Sequence, residues 1–196
     1  SATEYPGVAP LPYREDNLWL GPPEPAHAPY TTAKKMLLVQ GQAYRKQYGM
    51  NVIHLLPTNM YGPGEKDDFV IPMLIKKTND AKKGGIDFIE VWGTGKPTRD
   101  FLYVEDAAEG VVLATEKYDK ESPVNLGSGF EVSVKELALL IVRLMDFKGE
   151  IRFNTEKPDG EMRRLLDTTF AEKEMGFKAL VDLETGLKET IKFHTQ

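Results

Sequence analysis

The chain has 196 residues, of which 41% are hydrophobic and 28% charged, with a formal net charge of −5. This balance is typical of a folded globular chain, long enough for one core or for a core plus a small lobe. The negative charge disfavours a nucleic-acid partner. Because there is no cysteine, disulfides and thiolate chemistry are excluded, and the three scattered histidines lack metal-site spacing, so no metal is predicted.

No apolar run approaches the roughly 18 residues that a membrane span requires, and no stretch resembles a signal peptide. We therefore expect a cytoplasmic protein with no membrane partner. The first 29 residues hold seven of the thirteen prolines, which predicts an ordered irregular loop leading into a helix.

The rest of the chain alternates between helical and extended patterns. A helix is predicted from Pro29 to Tyr48, ended by Gly49, and the apolar run before Pro57 predicts a buried strand. The same patterns predict helices in "DDFVIPMLIKKTNDAKK" and "VEDAAEGVVLATEKY", strands in "IDFIEVWG", "RDFLY" and "PVNLGSG", and capped helices after Ser133 and Asp182. Helix followed by a continuous apolar strand indicates an α/β fold with a parallel sheet.

Tyr30 and Lys34 lie four residues apart and therefore on one face of the predicted helix. An ammonium beside a phenol stabilises the phenolate, which makes the phenol a better acid–base catalyst at neutral pH. In a chain with eight tyrosines, however, such a pair also arises by chance. The spacing alone does not define a site.

Five further segments occur in a specific order: "LLPTNMYGP", "VIPMLIKK", "VWGTGKPTRDFLYVEDAA", "NLGSGFEVSVKELA" and "KPDGEMRRLLD". Together they resemble the extended short-chain dehydrogenase/reductases, and within them the GDP-L-fucose synthases, which are GDP-4-keto-6-deoxymannose epimerase/reductases. The resemblance covers almost the whole chain. It implies the C-terminal part of a Rossmann-type parallel sheet (residues 1–65) and a smaller mixed α/β lobe for the sugar nucleotide (mainly residues 66–196, with strands returning to the sheet).

The glycine-rich loop that binds the cofactor pyrophosphate in this family has no counterpart here, since "GTGKPT" and "GSGFEV" lack its third glycine. By the resemblance, Ser1 falls where the family has its catalytic serine, roughly a hundred residues into a complete enzyme. We therefore expect the chain to be the C-terminal two-thirds of such an enzyme, inactive by itself.

The resemblance also assigns roles to residues. Ser1 would hydrogen-bond the sugar carbonyl, Tyr30 would donate the proton, and Lys34 would assist Tyr30 and bind the nicotinamide ribose. The backbone of Pro57, Thr58, Asn59 and Met60 would lie along the nicotinamide half of NADP(H), with NAD as the alternative. For Asn59, a turn residue is an equal interpretation.

Four residues occupy positions that contact the GDP-sugar in the family: Lys77, Trp92, Arg99 and Asp159. A cation beside a diphosphate and an aromatic ring beside a nucleotide are chemically reasonable. The alternatives are a core position for Trp92 and, for Arg99, an ion pair with Glu105 or Asp106.

Two positions depart from the family. Epimerisation at C3 and C5 needs an acid and a base, for which the family uses a cysteine and a histidine, but this chain has Thr3 and Phe69 there. Asp67 or Asp68 could approach the site, although a surface carboxylate pair is the simpler interpretation.

The sequence therefore predicts an NADP(H)-dependent epimerase/reductase of a nucleotide-linked 4-keto-6-deoxy sugar. Three alternatives stay open: a 4-keto reductase without epimerase activity, an NAD-dependent sugar-nucleotide epimerase, and a non-catalytic sugar-nucleotide-binding module. Family members commonly dimerise through the helix that bears Tyr and Lys, so a homodimer is expected.

Overall fold

The structure, a computed structural model, describes residues 1–196. The helices are α1 (Ala28–Tyr48), α2 (Val70–Gly84), α3 (Val104–Lys117), α4 (Val134–Leu144), α5 (Thr169–Met175) and α6 (Leu183–His194). The strands are β1 (Leu55–Pro57), β2 (Asn59–Tyr61), β3 (Phe88–Trp92), β4 (Thr98–Tyr103), β5 (Val124–Leu126), β6 (Glu131–Ser133), β7 (Glu150–Asn154) and β8 (Arg163–Arg164). Three short 3₁₀ turns punctuate the loop that precedes α1.

The strands form three small groups. β1 pairs in parallel with β5, and β3 pairs in parallel with β7. β4 is central to the third group, with β2 and β8 parallel to it and β6 antiparallel. The predicted α/β class is confirmed, whereas the division at residue 65 stays a prediction.

Three of the predicted helix ends agree with the structure. Gly49 follows α1 in the left-handed conformation, at φ 65°, which glycine adopts without a steric penalty. Ser133 and Glu136 form a reciprocal capping box at the start of α4. The Asp182 carboxylate accepts from the Thr185 amide, 2.9 Å away, at the start of α6.

The N-terminal loop is ordered because it packs on α1 and β1. Its buried side chains Tyr5, Tyr13 and Leu18 join Leu38 of α1 and Leu56 of β1 in one apolar cluster. This packing positions the first residues of the chain beside the start of α1. None of the helices is long and apolar enough to cross a membrane, and the cytoplasmic location stays a prediction.

A larger cluster fills the space between α2, α4 and the strands that they cover, with Leu74, Ile75, Leu137 and Ile141 fully enclosed. The helix predicted from Asp67 begins only at Val70, because residues 62–69 form a loop of tight turns. That loop borders the principal cleft.

Candidate functional site

A cleft of about 770 Å³ opens between the start of α1, strands β2 and β4, and the loop of residues 62–69. Its lining includes Ser1, Tyr30, Thr58, Asn59, Met60 and Arg99, six of the residues that the sequence singled out. Pro57 and Lys34 are not part of the lining: Pro57 directly precedes Thr58, and Lys34 lies one helical turn after Tyr30. These residues come from segments far apart in the chain, so the fold has brought them together.

Ser1 and Thr3 form one wall beside Tyr30. The Ser1 and Thr3 hydroxyl oxygens lie 2.9 Å apart, and the Thr31 hydroxyl donates to the Thr3 carbonyl oxygen over 3.0 Å. The second bond ties the first turn of the chain to α1, directly after Tyr30. Tyr30 itself is 48% exposed, so its phenol is accessible from the cleft.

Lys34 lies one turn beyond Tyr30, with its Nζ atom 5.6 Å from the centre of the Tyr30 ring. Its neighbour Lys35 is the buried lysine: the Lys35 Nζ atom donates to the Leu18 carbonyl oxygen over 2.6 Å. Burial lowers the pKa of Lys35. Lys35 therefore anchors the helix, while Lys34 makes no ion pair and stays beside Tyr30.

The cleft floor is formed where β1 passes into β2. The Thr58 hydroxyl and the Asn59 amide both donate to the Asp100 carbonyl oxygen, over 3.0 and 3.1 Å. Asn59 is the first residue of β2, so its interpretation as a turn residue is wrong. Met60 presents a half-exposed apolar side chain to the same space.

Two arginines lie side by side in the cleft. Arg99 of β4 is directly opposite Arg164 of β8 in the parallel pair, and both side chains line the cleft. Arg164 is paired with Glu161, but Arg99 makes no salt bridge and donates only to the Thr98 carbonyl oxygen, at 2.7 Å. Burial, and next the neighbouring Arg164 guanidinium, lower the pKa of Arg99.

The ion pair considered for Arg99 is therefore wrong. Asp106 instead accepts from the backbone amides of Leu180 and Val181. A partly buried pair of cations of which only Arg164 has a carboxylate partner favours an anionic ligand. Sequence reasoning missed Arg164, although the tandem arginines of "EMRRLLD" were a visible signal.

Trp92 lies at the end of β3, outside the cleft lining, and is 55% exposed, so the core interpretation is wrong. The Nζ atoms of Lys77 and Lys157 lie 5.6 and 5.4 Å from its ring centre. The Lys77 ammonium also donates to the Glu90 carbonyl oxygen. The result is an exposed aromatic face with two cations next to it.

The Asp159 carboxylate is fully used in hydrogen bonds to Thr94, in a neighbouring turn. Its two carboxylate oxygens accept from the Thr94 amide and the Thr94 hydroxyl, over 2.6 and 2.8 Å. The next residue, Gly160, lies close enough to Arg99 that a Cβ added there would be 3.9 Å from the guanidinium. Asp159 thus supports the border of the arginine pair, and its contact with substrate stays a prediction.

The two positions that depart from the resemblance, Thr3 and Phe69, both line the cleft. Asp67 does not: it is exposed and pairs with Lys76 over 2.9 Å, as expected of a surface carboxylate. Asp68 is exposed as well and is not in the lining.

Glu65, which the sequence analysis did not consider, does line the cleft. Gly62 and Gly64 have positive φ angles of 155° and 86°, and the Glu65 amide donates to the Gly62 carbonyl oxygen over 3.3 Å. This turn directs Glu65 inward, and Glu65 is the one residue of positions 63–69 that is not exposed. Its Oε2 atom is shielded and has no hydrogen-bond partner, and burial raises the pKa of Glu65 to about 7.

With this geometry established, comparison with known proteins defines the class. Residues 1–127 match the model of the NAD dependent epimerase/dehydratase family, and the chain belongs to that family. The chain is 43% identical over 194 residues to a GDP-L-fucose synthase of Sinorhizobium fredii, covering 97% of this chain and 62% of that protein. The resemblance identified from the sequence is thereby confirmed.

Solved structures agree. A GDP-mannoheptose C4 reductase from Campylobacter jejuni with NADP bound superposes with a TM-score of 0.90 at 30% identity, over 100% of this chain and 66% of that one. A GDP-L-fucose synthetase from Naegleria fowleri bound to NADP gives a TM-score of 0.90 at 28% identity, over 98% and 63%. The chain spans about three fifths of the length of the curated relatives that it matches.

Proposed function

We propose that this chain provides the catalytic and substrate-binding residues of an NADP(H)-dependent epimerase/reductase acting on a GDP-linked 4-keto-6-deoxy sugar. The observation that carries the proposal is the shared cleft, in which Ser1, Tyr30 and Arg99 line one space. The names and NADP-bound states of the similar proteins support the same choice of substrate class and cofactor.

The residues present fit the nicotinamide half of the cofactor. Tyr30 and Lys34 present a hydroxyl and an ammonium one helical turn apart, which suits ribose hydroxyls. Thr58, Asn59 and Met60 offer a stretch of strand edge with an apolar side chain, which suits a flat ring. When bound, the cofactor supplies the hydride for the sugar carbonyl carbon.

Side chains of this chain bind the carbonyl oxygen of the sugar and transfer a proton to it. The Ser1 hydroxyl hydrogen-bonds that oxygen, and the Tyr30 phenol transfers a proton to it as the carbonyl carbon is reduced. Lys34 stabilises the phenolate that Tyr30 leaves behind. The Thr3 hydroxyl, 2.9 Å from that of Ser1, orients the Ser1 hydroxyl.

The arginine pair is the proposed binding site for the nucleotide part of the substrate. Arg99 and Arg164 would bind the diphosphate, since guanidinium groups match the geometry of phosphate oxygens. Trp92, flanked by Lys77 and Lys157, would stack on the base. A substrate spanning both groups would bring its sugar toward Tyr30.

The test uses the full-length gene product with GDP-4-keto-6-deoxymannose and NADPH. We expect NADPH oxidation that depends on this substrate, with UDP-linked keto sugar as the matched control giving a much lower kcat/KM. If the protein binds neither GDP nor the keto sugar in calorimetry, the proposal fails.

A second candidate is a 4-keto reductase without epimerase activity. It is favoured by Thr3 and Phe69, because neither a hydroxyl of this kind nor a phenyl ring can accept a carbon-bound proton. The similarity to a C4 reductase is consistent with it. Product analysis distinguishes the two, since a reductase alone leaves the configuration at C3 and C5 unchanged.

We also infer a homodimer formed through α1. Met36, Leu37 and Val39 of this helix are exposed apolar residues, and covering them would remove apolar area from water. Sedimentation velocity should give twice the chain mass, and Leu37→Glu should give the monomer. A wild-type monomer at micromolar concentration would contradict this inference.

A further inference from the structure

Glu65 is the one carboxylate in the cleft lining, and neither the sequence nor the resemblance assigns it a role. The Glu65 side chain makes no hydrogen bond and no ion pair, although Asp67, two residues later, is paired with Lys76. A carboxylate that is left without partners in a cleft is costly, and one that persists there is a candidate for chemistry.

The loop holds Glu65 in a defined place. A Cβ at Gly62 would lie 2.5 Å from a Val104 methyl group, so the chain passes closely over the start of α3. The positive φ angles at Gly62 and Gly64 then turn the backbone back toward the cleft. Glu65 is thereby oriented inward by backbone geometry, without a side-chain hydrogen bond.

We propose that Glu65 is the acid–base catalyst that exchanges the proton on a carbon next to the sugar ketone. This rests on the proposed function, and deepens it by assigning to Glu65 the proton transfer that Thr3 and Phe69 cannot perform. Both of those residues line the same cleft as Glu65 and Tyr30.

The step balances as follows. The Glu65 carboxylate takes the proton at C3 or C5, the electrons of the broken C–H bond form a C=C bond, and the carbonyl oxygen becomes an enolate oxygen. The Ser1 and Tyr30 hydroxyls hydrogen-bond that oxygen. The ketone is restored when Glu65 returns its proton to one face of the carbon, or when water delivers a proton to the other face and Glu65 releases its own to solvent.

The electrostatic surroundings agree with this role. The charged and titratable groups that share the cleft are His27, Tyr30, Tyr61, Arg99 and Arg164, and on its own loop Glu65 is flanked by Lys66, Asp67 and Asp68. None of them pairs with Glu65, and burial alone raises its pKa to about 7. A carboxylate of that basicity abstracts a proton more readily than an ordinary surface one.

The experiment incubates the full-length gene product with GDP-4-keto-6-deoxymannose in D₂O without NADPH, and follows deuterium at C3 and C5 by mass spectrometry. We expect wild-type incorporation whose rate rises with pH up to about 7. Glu65→Gln should lower the rate of deuterium incorporation by about 100-fold or more, the usual contribution of an acid–base group. Glu65→Asp should retain measurable exchange, and Asp67→Asn should match the wild type.

Exchange that persists in Glu65→Gln would overturn the assignment. So would a wild-type protein that oxidises NADPH with this substrate but incorporates no deuterium, a result that leaves the reductase part of the proposed function intact. A protein that shows neither reaction and binds no GDP would overturn the proposed function as well. Thermal unfolding of Glu65→Gln verifies that the variant is folded.

Discussion

In one region of this molecule the buried polar groups are fully hydrogen-bonded, and in another, the cleft, charged groups lack an ionic partner. Where the N-terminal loop joins β5, every polar atom of the buried Asn125 side chain is used: it accepts from the Tyr5 hydroxyl at 2.7 Å and donates to the carbonyl oxygens of Tyr13 and Asp167. In the cleft, Arg99 and Glu65 have no ionic partner.

This difference distinguishes polar groups that stabilise the fold from polar groups that are available to a ligand. A buried polar group that is fully hydrogen-bonded holds two segments in register, and its loss leaves partners unsatisfied. A charged group without a partner stabilises nothing in the free protein and can gain from a ligand. We therefore expect substitutions at the loop–β5 junction to change stability, and substitutions in the cleft to change chemistry.

The largest effect is expected at Tyr30. Tyr30→Phe removes the proton donor, and kcat for keto-sugar reduction should fall by about 10²–10⁴-fold. Because Tyr30 is half exposed, the melting temperature should hardly change. Steady-state NADPH oxidation measures the first quantity, and Tyr48→Phe, at the far end of the same helix, is the matched control. Full activity of Tyr30→Phe would remove Tyr30 from the mechanism.

The comparison predicts the reverse behaviour for Asn125. Asn125→Ala leaves three buried groups without their partner, which should lower the free energy of unfolding by about 3 kcal/mol. Urea denaturation measures this loss, and the exposed Asn51→Ala should lie within about 0.5 kcal/mol of the wild type. An unfolding midpoint equal to the wild type would break the comparison.

Arg99 comes next. Arg99→Ala should weaken GDP binding by about 10–100-fold, since a charge-assisted bond to phosphate contributes about 1.5–3 kcal/mol. Arg99→Lys should retain only part of the wild-type affinity for GDP, because an ammonium lacks the planar geometry with which a guanidinium binds two phosphate oxygens at once. Calorimetry with GDP gives the values, and Arg163→Ala is the control, as Arg163 is paired with Glu131 and outside the cleft lining. Equal losses of GDP affinity in Arg99→Ala and Arg163→Ala would argue against a diphosphate site at Arg99.

Trp92 should have a smaller effect. Trp92→Ala is expected to weaken GDP binding about fivefold, or about 1 kcal/mol, through the loss of stacking and cation–π contacts. Trp19, which is similarly exposed and 4.9 Å from the Lys35 ammonium, provides a matched control because it lies elsewhere on the surface. GDP binding that is unchanged in Trp92→Ala but reduced in Trp19→Ala would place the base at the other tryptophan.

The smallest effect concerns the stability of Glu65→Gln. Below the unfolded-state pKa, Glu65 is protonated in both states and the substitution should be neutral. As the pH rises from about 4.5 to about 7, the unfolded state loses its proton first, so ionisation progressively destabilises the wild type. At pH 8 Glu65→Gln should therefore be more stable, by up to about 1 kcal/mol after solvent screening. Melting curves at acidic and basic pH measure the difference, and a loss of stability in Glu65→Gln at pH 8 instead would mean that the Glu65 carboxylate has a stabilising partner.

The sequence by itself determined the class and most of the helices. The Ser133–Glu136 capping box, the Asp182 cap and the glycine after α1 are local devices, and a local pattern is sufficient to predict them. The five ordered segments indicated the family, and six residues that the resemblance singled out line one cleft. By contrast, β2, β6, β7 and β8 were not predicted, because these strands of two to five residues are defined by their partners and carry too short a pattern. The seven-residue helix α5 was not predicted either, because it is shorter than the window in which a helical period is recognised.

Only the tertiary structure decided which polar residues face a ligand. Nothing in "GPGEKDDF" distinguishes Glu65 from Asp67 or Asp68, since all three are carboxylates in one loop. The turn at Gly62 and Gly64 directs Glu65 inward, while Asp67 lies on the surface with Lys76. Likewise, Arg164 faces the cleft and Arg163 does not, because adjacent residues of a strand project to opposite sides. Orientation of this kind depends on backbone geometry and strand pairing, which residue types alone do not specify.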